Sequence, residues 1–272
     1  MTDLTSHSAA LVRTIVGFVI AAGIAIAARR ARSLSGSGAL AAVVLGTVCA
    51  AAGTGWGILL IVYFVAASLL SRNGRREKER LTGSVVAKSG ARDVTQVLAN
   101  GGIYAACLAV AAFCPDAIAS IVRVSALGAL AASSADTWAT EIGTLHGGTP
   151  RSIFTLRPVV PGTSGGISIA GTAAMVAGAA FVAFLGVMLG LSAMPVAVGV
   201  GGIAGAIADS VLGATVQERR WCPTCSLASE QLVHTCGTPT VVAGGIKYLD
   251  NDAVNFLSTV AGGAVAALLA SL

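Results

Sequence analysis

With 272 residues, 55% of them hydrophobic and only 11% charged, the chain cannot cover a water-facing surface, since a soluble domain carries about 25% charged residues. Its mean hydropathy of +0.84 therefore places it in the membrane. The net charge of +5 does not point to nucleic acid, because Lys and Arg of a membrane protein gather in its cytoplasmic loops.

The first apolar run, 10–28, is long enough to span and has no convincing signal-peptide cleavage site. Runs 36–52 and 56–71 follow, split by Gly53-Thr54-Gly55. At 1.5 Å per residue each reaches only ~24–26 Å, against a hydrocarbon core of ~30 Å. They read either as two short crossings or as one re-entrant hairpin, and both leave the sidedness of later segments unchanged. Next comes the basic stretch SRNGRREKERLTGSVVAKSGARD, read as a topology signal attracted to anionic headgroups. Its last two basic residues, Lys88 and Arg92, are candidates for neutralising substrate phosphates. Runs 96–113, 115–135, 166–191, 194–216 and 253–271 complete the expected architecture. This is an all-α, polytopic membrane bundle of about seven or eight helices, one transmembrane domain over 1–272 with an insert at 218–250.

Counted over eight segments, 15 of the 17 Lys and Arg fall in the four odd-numbered loops, leaving only Arg13 and Arg123. The even-numbered connections carry none. The positive-inside rule puts the four long loops in the cytoplasm and both termini outside.

Polar residues collect at the cytoplasmic ends of five segments. Asp93, Gln96 and Asn100 share one helix face at i, i+3 and i+7. Ser133, Ser134, Asp136, Thr140 and Glu141 close the fifth segment, and charges beside hydrocarbon are presumptively functional. Gly201, Gly205, Asp209, Gly213 and Gln217 form a four-residue ladder whose glycines admit a neighbouring helix. LDNDAVNF clusters Asp250, Asn251, Asp252 and Asn255, with Asp252 also readable as a helix cap. PGTSGG, with Gly162, Thr163, Ser164, Gly165 and Gly166, is expected to aim backbone amides and a helix N-terminus at an anion. No Walker A pattern occurs. Asp136, Asp209 and Asp252 are oxygen ligands of the kind Mg²⁺ shares with substrate phosphates. Gly128 and Asp136 echo Gly201 and Asp209 at the same spacing, a weak duplication that makes the two aspartates partners across one pocket.

In the insert, Cys222 and Cys225 stand as C-x₂-C, followed by His234 and Cys236. Four such ligands fit a structural Zn²⁺, although H-x-C is tighter than usual. Cys49, Cys107 and Cys114 read as small apolar packers.

QVLANGG (96–102), ADTWATEIG (135–143), PVVPGTSGGIS (158–168), ADSVLGATVQ (208–217), the Cys/His loop and LDNDAVNF (249–256) occur in this order. With them the chain resembles the integral-membrane family containing vertebrate transmembrane protein 19 and the plastid phytyl-phosphate kinase of vitamin E synthesis. The resemblance implies a CTP- or ATP-dependent kinase that makes a prenyl diphosphate from a phytyl- or geranylgeranyl-type monophosphate. Catalytic roles would fall to Asp136, Glu141, Asp209, Lys88 and Arg92. Nucleotide and phosphate binding would fall to the glycine turn with Asn100, Gln217, Asn251 and Asn255. Partners would be a prenyl-phosphate lipid, a nucleotide and membrane lipids, with a homo-oligomer left open. A lipid-phosphate cytidylyltransferase and an ion-coupled transporter are the alternatives.

Overall fold

The computed structural model describes residues 2–87 and 90–272, with side chains from residue 10 onward. Eight long helices run back and forth: α1 (Thr2–Arg30), α2 (Gly36–Ala52), α3 (Thr54–Arg72), α5 (Val94–Ala111), α6 (Asp116–His146), α7 (Ile169–Met188), α8 (Pro195–Thr215) and α9 (Asn251–Ala270). A short α4 (Arg75–Thr82) lies between α3 and α5. Seven of the described helices are long and apolar enough to cross a membrane, and α2 is a shorter apolar helix. The chain is an integral membrane helical bundle, as its composition requires.

Helix α6 is the central post, packed against α5, α7, α8 and α9, while α1 and α2 form an outer pair joined to the rest through α3 and α5. Gly128 of α6 and Gly201 of α8 both meet α9 at Gly262 and Ala266. A Cβ on Gly128 would stand 2.3 Å from that of Ala266, and one on Gly201 would stand 2.6 Å from the Gly262 carbonyl. Backbones this close are how small residues hold helices together in lipid, where burial from water contributes nothing.

Segments 36–52 and 56–71 are two helices of 17 and 19 residues, α2 and α3, that reach the far end of the bundle and do not form a shallow re-entrant hairpin. Gly53, at φ +153°, turns the chain between them. Gly55 just beyond lies against Leu189 and Leu191, past the far end of α7. The pair therefore runs the length of the bundle.

Three boundaries depart from expectation. Helix α6 continues past 135, through ADTWATEIG to His146, because the stretch holds no Pro and its one glycine, Gly143, stays helical where it packs on Gly171 of α7. Its polar residues face a protein cavity, so falling hydropathy marks no helix end. Helix α7 begins at Ile169, with Ser168 as its N-cap. Residues of the basic stretch, expected as loop, form α4, whose Lys78 is buried.

The four long connections meet at one end of the bundle. Two small sheets form there. One pairs β1 (Arg151–Ser152) with β2 (Gly166–Ile167); the other orders β3 (Arg219–Cys222), β4 (Leu227–Ser229) and β5 (Val241–Gly244) as β4-β3-β5, all antiparallel.

Candidate functional site

The loop-rich end encloses a cavity of about 450 Å³ lined from α3 through α9 and the glycine turn. Asp136, Glu141 and Asp209 line it, as do Arg92, Asn100, Asn251, Asn255 and residues 162–166. The spans thus bring most of the predicted residues to one place.

Asp209 is the most exposed to chemical demand. Its Oδ2 is buried with no hydrogen-bond partner among the described residues, and such an oxygen is costly unless something binds it. Asp136 enters from α6. On the same helix Ser133 donates to Asn100 Oδ1 at 2.7 Å and lies 2.7 Å from the Tyr63 hydroxyl, so α3, α5 and α6 are linked by a buried polar chain. Asn100 is held in turn by its Nδ2, which donates to the Gln96 carbonyl at 2.8 Å. Gln96 also completes a capping box with Asp93, the N-cap of α5.

Arg92 is positioned by backbone as well as side chain. Its N–H donates to Ser33 and its carbonyl accepts from Ser35, both at 3.0 Å, and Gly38 leaves room for this strand to pass. The guanidinium donates to Ser68 at 3.1 Å and Ser71 at 3.0 Å. Lys88 lies outside the described residues.

Glu141 is not a solvated residue beyond the helix. Its Oε2 accepts from Lys78 Nζ at 2.5 Å and its Oε1 accepts from Ser71. Both oxygens are thereby engaged, because α6 carries it into the cavity wall and α4 brings Lys78 opposite.

Two further expectations are corrected. Asp252 does not line the cavity: it accepts from Thr95 Oγ1 at 2.7 Å, between the starts of α5 and α9. The cap of α9 is Asp250, whose carboxylate accepts from the Ala253 N–H at 3.0 Å. Gln217 also sits outside the cavity. It lies past the end of α8, buried, with its Nε2 donating to Glu230 Oε1 at 2.8 Å.

The glycine turn is present but is not fused to a helix N-terminus. Strand β2 and Ser168 separate it from α7, and the Ser168 hydroxyl already accepts from the Gly171 N–H at 3.1 Å. Within the turn, the Thr163 and Gly166 N–H groups bond to Val160 at 3.1 Å and Thr163 at 3.0 Å. Gly165, at φ +76°, presses on α8, where a Cβ would stand 2.4 Å from that of Ala214.

Sequence reasoning missed Ser68, Ser71, Lys78 and Glu230. Glu230 follows β4, enters the cavity, and accepts from Ser164 of the glycine turn. Burial pushes its carboxyl above the ordinary glutamate range. Lys78 had one available signal, the helix-spaced charge pairs Arg75–Glu79 and Glu77–Arg80 of RREKERLT; Glu230 had none, because it lies in a polar loop and interrupts no long apolar run.

A second cavity of about 400 Å³ opens between α1, α2, α3 and α5. Its walls are Val, Ile, Leu, Ala and Gly, among them Val16, Ile20, Leu45 and Ile61. Arg92, Gln96, Asn100 and Thr137 line both cavities, so a polar chamber adjoins an apolar one at these four residues.

These features define a polytopic membrane protein with an acidic and basic cavity at one end of its bundle. The chain belongs to the integral membrane protein family DUF92, whose sequence profile matches residues 19–263. Protein PGR of Arabidopsis thaliana is 30% identical over 90% of this chain and 92% of its own length. An uncharacterised membrane protein of Methanocaldococcus jannaschii is 29% identical over 95% of both chains. The chloroplastic protein VTE6 of Arabidopsis thaliana is 28% identical over 87% of this chain and 65% of its own. No solved structure matches the chain.

Proposed function

We propose that the protein transfers a phosphoryl group from a nucleoside triphosphate, CTP or ATP, to a prenyl monophosphate at the cytoplasmic membrane face. The observation that carries this reading is the junction of the two cavities. An amphiphile with one phosphate and one hydrocarbon chain matches an apolar chamber that meets a polar one beside a guanidinium. The motif resemblance to a family with a phytyl-phosphate kinase supports the same substrate class.

In this reading the prenyl chain lies among α1, α2, α3 and α5, and its phosphate rests near Arg92 and Asn100. A phosphate oxygen attacks the terminal phosphorus of the nucleotide. The bond from that phosphorus to its bridging oxygen breaks, and a nucleoside diphosphate leaves. The attacking phosphate is already ionised, so no strong general base is required. Positioning and charge stabilisation carry the catalysis.

Asp209, with its unpartnered oxygen, and Asp136 in the same cavity suit a hard divalent cation such as Mg²⁺. That ion would supply neutralisation of the nucleotide phosphates. Arg92 holds the acceptor phosphate, and Glu230 positions Ser164 and hence the glycine turn. Lys78 and Glu141 brace α4 against α6, so Glu141 serves as a positioning residue.

The test uses purified protein, Mg²⁺, labelled CTP or ATP, and prenyl monophosphates of several chain lengths. Prenyl diphosphate and nucleoside diphosphate should form in equal amounts. Asp209→Asn should cut turnover by about 10²–10³-fold, the usual loss for one electrostatic partner of a transition state. Its thermal stability should be unchanged or higher, because a neutral amide replaces a buried acidic group. Pyrophosphate release with a cytidylylated lipid would mark nucleotidyl transfer instead. Binding of prenyl phosphate with no product under any nucleotide would end the kinase reading.

A further inference from the structure

The insert between α8 and α9 has almost no hydrophobic core. Among residues 217–250 the buried ones are Gln217, Cys222, Ser229, His234 and Thr240, of which Cys222 alone is apolar. Leu232, Val233, Val241, Val242 and Ile246 are all exposed. A three-stranded sheet this small does not hold its shape without a staple.

Such a staple is at hand. One ligand atom each from Cys222, Cys225, His234 and Cys236 lies within 4.8 Å of every other. The Cys222 and Cys236 sulfurs are 3.6 Å apart, and His234 Nδ1 is 3.2 Å from the Cys236 sulfur. Zn–S bonds of ~2.3 Å and Zn–N bonds of ~2.0 Å in a tetrahedron give ligand separations of ~3.5–3.7 Å. The Cys222–Cys236 separation matches that spacing, and all four groups are close enough together to share one ion.

The surroundings agree. The Cys225 N–H points at the Cys222 sulfur at 3.5 Å, and Thr238 Oγ1 lies 3.3 Å from the Cys236 sulfur. The amide is a donor of the kind that orients a thiolate ligand, and the threonine oxygen accepts from the Cys236 thiol. His234 is 4% exposed, its Nε2 has no partner, and no oxygen accepts from either ring nitrogen among the described residues. An imidazole buried among three thiols without an oxygen partner is placed as a ligand, not as a core histidine. Cys222, Cys225 and Cys236 are all free of disulfide bonds.

We propose that Cys222, Cys225, His234 and Cys236 bind one structural Zn²⁺, and that this ion sets the insert in the shape that delivers Glu230 to the cavity. The connection is short. Cys222 pairs with Leu227 across the β3–β4 hairpin, and β4 ends one residue before Glu230. The insert then grips the chain after α4. The Glu230 N–H donates to Val85 at 2.7 Å, Ser229 Oγ to Ser84 at 3.0 Å, and Gln231 Nε2 to Gly83 at 2.7 Å and Val86 at 3.0 Å. The ion therefore lies outside the cavity yet governs one of its walls, whatever reaction the cavity performs.

The test is made on full-length protein purified without chelator. Elemental analysis should find about one zinc per chain, and exchange for Co²⁺ should give the visible absorption of a tetrahedral three-thiolate, one-imidazole site. Cys222→Ser and His234→Ala should lose the metal, while Glu230→Gln and Cys107→Ser should keep it. Removing zinc from the wild-type protein with a chelator should raise hydrogen exchange at residues 83–86 and 228–231, and adding zinc back should reverse this. The wild-type experiment stands even if the ligand variants fail to fold. Iron in place of zinc, no metal uptake, or a native Cys222–Cys236 disulfide found by mass spectrometry would overturn the site. Zinc that leaves without altering exchange at 83–86 would overturn its positioning role.

Discussion

Glu230 shows how one side chain can be read in both energetic and chemical terms. Its Oε1 accepts from Gln217 and from Ser164, so it stands between the end of α8 and the glycine turn. Burial is the main cause that raises its pKa above the ordinary glutamate value of 4.5. For an acid whose folded pKa is raised, the charged form is the one the fold disfavours. Its contribution is favourable below the unfolded value and is lost as pH climbs through the folded one. Glu230→Gln keeps an oxygen to accept both hydrogen bonds and removes the charge. The variant should therefore melt higher than wild type in neutral buffer, with the gap closing as pH falls toward 4.5. A melting series across that range checks it; a gap that widens on acidification would contradict the sign. The same residue explains what the sequence hides. Asp136 and Asp209 stand out because they interrupt apolar runs, and a charge against that background is informative. Glu230 sits between Ser229 and Gln231 in a loop with no long apolar run, where a carboxylate carries no signal. Only the strand pairing brings it to the cavity.

At the scale of elements, the helix interfaces rest on where glycines face. On α8, a Cβ at Gly205 would stand 2.3 Å from the Ala132 Cβ and 2.7 Å from the Ser258 carbonyl, whereas one at Gly199 would meet nothing within 4 Å. Gly205→Ala should thus lower stability by about 1–3 kcal/mol through overpacking between α6 and α9. Gly199→Ala should be neutral or gain up to about 1 kcal/mol of helix propensity. Unfolding of both variants in the same detergent gives the comparison, and equal losses would mean that the packing is not glycine-specific. This contrast was half legible beforehand. The ladder of Gly201, Gly205 and Asp209 announces one packed face, but nothing in Gly199 shows that it points outward. Element ends were less legible. Hydropathy falls after Ala135, yet α6 stays helical to His146. Helix α4 was hidden for the opposite reason, since its charges look like a loop until Lys78 finds Glu141 across the cavity.

For the whole molecule, the consequential question is which way the loop-rich end faces. The nucleotide of the proposed reaction is found in the cytoplasm, and a prenyl chain held among α1, α2, α3 and α5 leaves its phosphate at that same end. Charge gives an independent argument for the same orientation. Arg29, Arg30, Arg32, Arg72, Arg75, Arg76, Lys78, Arg80 and Arg92 belong to the first two connections at this end, and the turns at the other end carry no Lys or Arg. Holding loops so basic outside would oppose both the membrane potential and the insertion bias that retains Lys and Arg in the cytoplasm. Two engineered cysteines separate the orientations, with Cys114→Ser removing the native thiol between α5 and α6. Ala193→Cys lies in the exposed turn before α8, and Thr149→Cys lies in the exposed connection after α6. In intact cells a membrane-impermeant maleimide should modify position 193 and leave 149 untouched until the membrane is permeabilised, as read by peptide mapping. The reverse pattern would place the cavity outside the cell, away from its nucleotide, and the kinase reading would fall with it even though every contact within the bundle stayed as described.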